Sequence, residues 1–229
     1  MEAEQRTPVK RGLPEWAALG GVAFVPLFII GLFLMFNGEP DSSGPPAKII
    51  AYFGDSGHRG RMSLGWLFVG LGLVSFLFFV ASLRQTVSRF DDRILTTLTT
   101  LGGAIYAALT MAAIGLEEGV RTMSDDTYRH QVYPELIHAV SDAGYVIHAT
   151  AGAALGVMIL AASIAFIRSG VVPKWAGWVS MLAALCALAT IFFVTVFVWL
   201  AWVMVVSIVL FVKGGAGSAR VTSSPAPGL

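Results

Sequence analysis

Charge is what this chain has least of. Lys, Arg, Asp and Glu make up 13% of its 229 residues, against roughly 25% in an ordinary soluble domain, while hydrophobic residues make up 56%. That balance excludes a soluble globular class. A formal net charge of +1 supplies no basic field of the kind nucleic acid requires, so nucleic acid is not a partner. The single cysteine, Cys186, can form neither an internal disulfide nor a thiolate metal cluster, and it leaves the redox compartment unread. No Asp, Glu, Lys or Arg lies inside any long apolar run, and Pro26 is the only proline within one. Ion-coupled carriers place an acidic residue or a broken helix at mid-membrane, so that class is disfavoured, whereas a passive pore or uncoupled transporter stays open. There is no internal repeat.

What the chain does have is apolar length. A hydrocarbon core of about 30 Å needs about 20 apolar residues in a helix, and runs free of charge cover 16–36, 62–83, 94–116, 143–167 and 175–212. The last would reach about 57 Å as one helix, nearly twice the core thickness. It is read as a hairpin of two spans, 175–192 and 196–212, turning near 192–196, although no Gly, Pro or charge marks the turn. A single tilted or bent helix is the alternative. The expected fold is therefore all-α, a polytopic bundle of six spans in one domain over 15–213. A cytoplasmic tail at 1–14 and a Gly, Ser and Pro tail at 214–229, expected to be disordered, flank it. The first span follows Lys10 and Arg11 as a signal peptide would, but its apolar run is long and no A-x-A site follows, so it reads as an uncleaved anchor.

Lys and Arg set the orientation. With the N-terminus inside, ten of the 15 basic residues fall in cytoplasmic segments: Arg6, Lys10, Arg11, Arg84, Arg89, Arg93, Arg168, Lys174, Lys213 and Arg220. Lys48, Arg59, Arg61, Arg121 and Arg129 fall outside. This predicts N-in and C-in in the cytoplasmic membrane. Trp16, Trp175 and Trp178 are then expected at the inner boundary, and Trp66, Trp199 and Trp202 towards the outer one. In the first outer loop, Ser43 or Gly44 can cap a short helix over about 45–54, opened by Pro45 and Pro46. Ile49, Tyr52 and Phe53 share one face of it, expected to lie on lipid.

Two stretches carry a resemblance. The segment "IRSGVVPKWAGWVSML", 167–182, resembles the short cytoplasmic turn of a group of uncharacterised multi-pass bacterial integral membrane proteins, mainly actinobacterial, of the domain-of-unknown-function kind. "IIAYFGDSGHRGRMSLGW", 49–66, is similar to the lead-in to their second span. The resemblance covers roughly 15–213 and implies a fold and no activity. In physical terms Gly170 ends one helix, Pro173 starts the next, and Lys174 with two indoles anchors it at the interface.

The candidate chemistry lies in "ELIHAVSDAGYVIHATAG", 135–152, where ionisable side chains lead into an apolar run. A 100° step from Pro134 puts Glu135, His138, Asp142 and Tyr145 on one face, which Ala149, Gly152 and Gly156 continue into the membrane. The small residues predict close packing against another span, with Gly103 and Ala107 as the expected partners. His138 and Asp142 are expected to form an exposed pair, and His148 to be the more buried histidine. Glu135-Leu-Ile-His138 has the Glu-x-x-His spacing of dimetal bundles, but those need two such motifs. Glu117 and Glu118 are the further candidate ligands, with Glu135, His138 and Asp142; no metal is assigned. His148 alone at membrane depth cannot supply two axial haem ligands. No cofactor is expected.

A sharper possibility is phosphoryl transfer. "DSGH", 55–58, and His138-x-x-x-Asp142 are similar to fragments of the membrane lipid phosphatase motifs, with Asp142 orienting His138 as nucleophile and His58 as acid. The family's Arg-Pro segment and the Ser-Arg before its nucleophile are missing, leaving Arg129, Arg59 or Arg61 to bind phosphate. His58, Arg59 and Arg61 read equally well as a lipid-headgroup anchor. The sequence assigns no catalytic residue; His58, His138, Asp142 and Arg129 are the candidates. The reading it favours is a non-catalytic integral membrane scaffold or accessory partner, in contact with the bilayer and with other membrane proteins or copies of itself. The alternatives are a lipid-phosphate hydrolase or metal-binding protein using outer-face His and Asp, and an uncoupled pore.

Overall fold

The computed structural model describes residues 15–41, 44–90, 92–121, 131–169 and 174–222. Arg129, Ser43, the 170–173 turn and the ends of both tails lie outside these residues. Among them every element is helical: α1 (Gly20–Phe36), α2 (Pro46–Gly54), α3 (Ser56–Val87), α4 (Arg93–Arg121), α5 (Pro134–Ser169), α6 (Lys174–Leu188) and α7 (Val196–Thr222), with short 3-10 turns at Glu15–Leu19, Ser88–Phe90 and Phe193–Thr195. Five stretches are long and apolar enough to cross a membrane: Trp16–Phe36, Ser56–Phe90, Arg93–Val120, Pro134–Ser169 and Val196–Lys213. α6 has 15 residues, which gives about 22 Å and falls short of the hydrocarbon thickness. Where six spans were expected, the helices thus comprise five of full length and one short.

The long apolar run does break. α6 ends at Leu188 and α7 begins at Val196, slightly earlier than the expected turn at 192–196. Threonines hold the break. Thr190 Oγ1 donates to the Ala187 carbonyl at 2.6 Å, and Thr195 Oγ1 lies 2.8 Å from both the Ala189 and Phe192 carbonyls. Hydroxyls that satisfy freed carbonyls let a helix end at membrane depth without Gly or Pro. The two helices then run antiparallel, with Trp202 Nε1 donating to Ser180 Oγ at 2.8 Å.

Helix pairs approach through small residues. A Cβ on Gly31 of α1 would stand 2.8 Å from the Gly65 carbonyl oxygen of α3, and a Cβ on Gly102 of α4 would stand 2.6 Å from the Ala154 carbonyl oxygen of α5. The stripe expected to pack on Gly103 and Ala107 does not do so. Gly152 and Gly156 face α6, where their Cβ positions fall 2.6 Å from the Ala187 and 3.1 Å from the Ala184 carbonyl oxygens. α4 meets α5 instead through Ala154 and Met158, about 200° further round that helix. One long helix carries two seams, and the stripe alone cannot say which neighbour takes which.

Aromatic side chains fill the space between the seams. Trp199 is fully buried, its ring 6.3 Å from Phe24 and 5.6 Å from Tyr106, and Phe79 meets Trp202 edge-on at 6.2 Å. Trp199 and Trp202 were expected in an interfacial belt, and they lie inside the bundle because they point from α7 towards α1 and α3 rather than to lipid. Trp16, Trp175 and Trp178 are exposed. The short helix α2 forms near its expected limits, yet Ile49, Tyr52 and Phe53 are buried against Met62 and Ile137 and do not lie on lipid. An apolar face is equally satisfied by protein, and periodicity does not distinguish the two. Thr96, Thr97, Thr99 and Thr100 of α4 bond back to the carbonyls four residues earlier, each at 2.8 Å. α7 runs past Lys213 to Thr222, into the segment expected as a tail.

The seams make a direct prediction. Gly152→Val should destabilise the α5–α6 contact by about 1–3 kcal/mol through overpacking, read as a lowered melting temperature in detergent. Gly70→Ala, where a Cβ meets nothing within 4 Å, should leave it unchanged or raise it. Equal effects would show that helix approach does not set stability.

Candidate functional site

α2 closes one end of the bundle, and the polar residues singled out in the sequence gather around it. The reason is local. α1 ends at Phe36, and Gly38, at φ 79°, reverses the chain towards α2. Asp55 then separates α2 from α3 and caps the latter, its Oδ1 accepting the His58 N–H at 2.9 Å. That hydrogen bond, chiefly, holds the Asp55 carboxyl below its ordinary value of 3.8.

The remaining polar groups of "DSGHRGR" are turned onto backbone. Arg59 Nη1 donates to the Phe53 and Gly54 carbonyls at 3.0 and 2.8 Å, satisfying the C-terminal end of α2. Arg61 Nη2 donates to the Asn37 carbonyl and, at 2.7 Å, to the Tyr52 hydroxyl. The His58 ring stacks on Tyr52 with centroids 4.2 Å apart, and its Nδ1 is 3.2 Å from the Tyr52 carbonyl oxygen. Three helix ends, α1, α2 and α3, are stapled together in this way. Tyr52 and Asn37 are the hub; Asn37 was not singled out in the sequence, and Tyr52 was read only as part of an apolar face, not for its hydroxyl.

The α5 stripe is not gathered into the same place. Glu135 and Asp142 are exposed, and among the described residues His138 and Asp142 form no hydrogen bond or ion pair, contrary to the expected pair. An i, i+4 spacing brings two side chains within reach but does not oblige them to meet. Tyr145 turns its hydroxyl to the Ile191 carbonyl. His138 borders a cavity of about 230 Å³ with Glu39, Pro40, Phe53 and Ser141, and His58 is not among its walls. His148 lies against Phe28 and Tyr106, each ring centroid 6.4 Å away.

The candidate carboxylates of α4 diverge. Glu117 is buried against Gly144 of α5, and Glu118 accepts from Ser63 Oγ of α3 at 2.5 Å. No three His, Cys, Asp or Glu among the described residues are placed to hold a metal ion. At the opposite end of the bundle Arg168 Nη1 and Asp92 Oδ2 are 3.1 Å apart, while Asp92 Oδ1 also caps α4 through Leu95 N–H.

Helices, composition and polar placement together define a multi-pass helical membrane protein. Comparison of the chain with known protein families, with curated proteins and with solved structures finds no match.

The staple predicts an ordered set of losses. Arg59→Ala should expose the α2 amides, 47–54, to hydrogen exchange, whereas Asp142→Asn should leave them protected and shift stability by no more than the about 0–1 kcal/mol of an exposed group. Because the Asp55 carboxyl is held below its ordinary value, its contribution is complete above pH 3.8 and is lost as pH falls through the lowered value. Protection of the His58 amide should follow that curve, and should be absent at all pH values in Asp55→Ala.

Proposed function

We propose that the protein is a non-catalytic scaffold or accessory partner in the cytoplasmic membrane, crossing it six times with both termini cytoplasmic. What carries this reading is the employment of the α2-end polar groups. Arg59, Arg61 and His58 are directed to main-chain carbonyls and to one aromatic hub, so they hold helices in register rather than converge on a reacting atom. Catalysis needs the opposite, nucleophile, base and anion-binding group within reach of one point. The antiparallel contact of α6 and α7 through Ser180 and Trp202 supports a sixth pass. So does the basic asymmetry, with ten of the 15 Lys and Arg in the segments assigned to the cytoplasm.

One observation favours the outer-face alternative, lipid-phosphate hydrolysis or metal binding. His138 Nε2 is buried and bonded to no described group, beside the cavity that Ser141 and Glu39 also line.

Co-purification of the full chain in mild detergent, followed by mass spectrometry, separates the two. A stoichiometric membrane-protein partner or homo-oligomer, with no phosphate release from lipid phosphates, is the expected result. Phosphate release abolished by His138→Ala in a protein that still folds would replace the scaffold reading with the hydrolase. For the topology, cysteines placed at 125 and 215 in a Cys186→Ser background should label from opposite sides. Labelling of both from the periplasmic side would mean five passes.

A further inference from the structure

The end of the bundle away from α2 is not closed. Between the last turns of α3, the first half of α6 and the length of α7 lies a cavity of about 750 Å³, within the range of about 300–1,000 Å³ typical of small-molecule sites. One face of α7 forms its floor: Val198, Ala201, Val205 and Val209 recur three or four residues apart. From Phe197 to Lys213, both on the lining, the axis advances about 24 Å, most of a hydrocarbon core. Val179 and Leu182 of α6 form a wall while remaining 55% and 58% exposed, so the cavity opens sideways to lipid.

The charged groups are confined to one end. Gln85, Arg89, Trp175 and Lys213 stand there, where α3 finishes, α6 begins and α7 passes, and no carboxylate is among the described residues that line the cavity. Arg89 is exposed and makes no hydrogen bond or ion pair with a described residue. Two cations and two neutral N–H donors at the mouth of an apolar groove as long as an acyl chain are complementary to one kind of molecule. A second copy of the chain would bring the same positive rim against itself, and a water-soluble anion would leave the groove unused.

The geometry points to a site for one anionic phospholipid, its phosphate at Arg89, Lys213 and the Gln85 amide and its acyl chains along α7 between α3 and α6. Charge-assisted bonds from guanidinium to phosphate fix the headgroup, and the sideways opening gives the chains access from the surrounding leaflet. This goes beyond the scaffold reading and does not depend on it.

The test uses the full-length protein in mild detergent, with an anionic and a zwitterionic phospholipid of identical chains, read by native mass spectrometry. Wild type should retain a single anionic adduct in preference to the zwitterionic one. Arg89→Gln should lower anionic retention about fivefold, the effect of one basic residue at a lipid headgroup, and leave zwitterionic retention alone. Ala201→Trp, which fills the floor from an exposed position, should remove both. Equal retention of the two lipids by wild type would overturn the proposal. So would an adduct with the mass of a free fatty acid, or a dimer that Ala201→Trp dissolves. Should Ala201→Trp fail to fold, Arg89→Gln decides alone, and undiminished anionic retention in that protein refutes the site.

Discussion

In hydrocarbon, one helix gains nothing by leaving lipid for another helix unless the two come closer than lipid chains can pack. The whole architecture rests on that constraint, because apolar surface is already solvated and only close van der Waals contact and interhelical hydrogen bonds distinguish protein from bilayer. The seams at Gly31 and Gly65, at Gly102, and at Gly152 and Gly156 meet it by bringing the backbone of one helix against its neighbour. At such separations bulky side chains have room only beside the seams, which is where Phe24, Phe76, Tyr106 and Trp199 interlock. The aromatic core is therefore a consequence of the glycine seams, since its volume is what the close approach leaves to be filled.

The same solvent explains where the polar groups are. A lone charge at membrane depth is expensive and an exposed carbonyl there nearly as much, so the chain keeps its charges at helix ends and its mid-depth polarity neutral. Thr190 and Thr195 break a helix by replacing the bonds they remove. At the α2 end, a loop that must return through the headgroup region exposes the carbonyls of Asn37, Phe53 and Gly54, and two arginines collect them. An arginine suits this because its planar fork reaches two acceptors while its stem stays against apolar surface.

The limits of what the sequence tells follow from this physics. Helix existence was legible wherever twenty uncharged residues run together, and α1, α3, α4 and α5 lie over the expected runs. The last three also overrun them, α3 starting at Ser56 rather than 62 and α5 at Pro134 rather than 143, because charge ends a hydrocarbon span without ending a helix. The break in 175–212 was legible from length, but its marker was a pair of threonines rather than Gly or Pro. Facing was not legible. Ile49, Tyr52 and Phe53 share a face in any helix, and Gly152 and Gly156 form a stripe against any neighbour; which surface they meet depends on elements far away in the chain. In the candidate site, the residue types at 55–61 were rightly singled out, while their use was decided by carbonyls that a one-dimensional reading does not display.

The two ends of the bundle solve opposite problems with the same kinds of residue. At the α2 end, a long connection must be held down, and its cations face inward onto main-chain oxygen. At the other end connections are short, and Arg168 and Asp92 pair across α5 and α4, an exposed contact that contributes little. α6 is only 15 residues long and is bound along one side to α5 by the Gly152 seam. It meets α7 through Ser180 and Trp202, and α7 extends past it. The gap between them is the geometric remainder of a short helix packed closely on one neighbour. Arg89 and Lys213 line the mouth of that gap, and Arg89 is exposed there, so residue types that close one end of the molecule border an open cavity at the other.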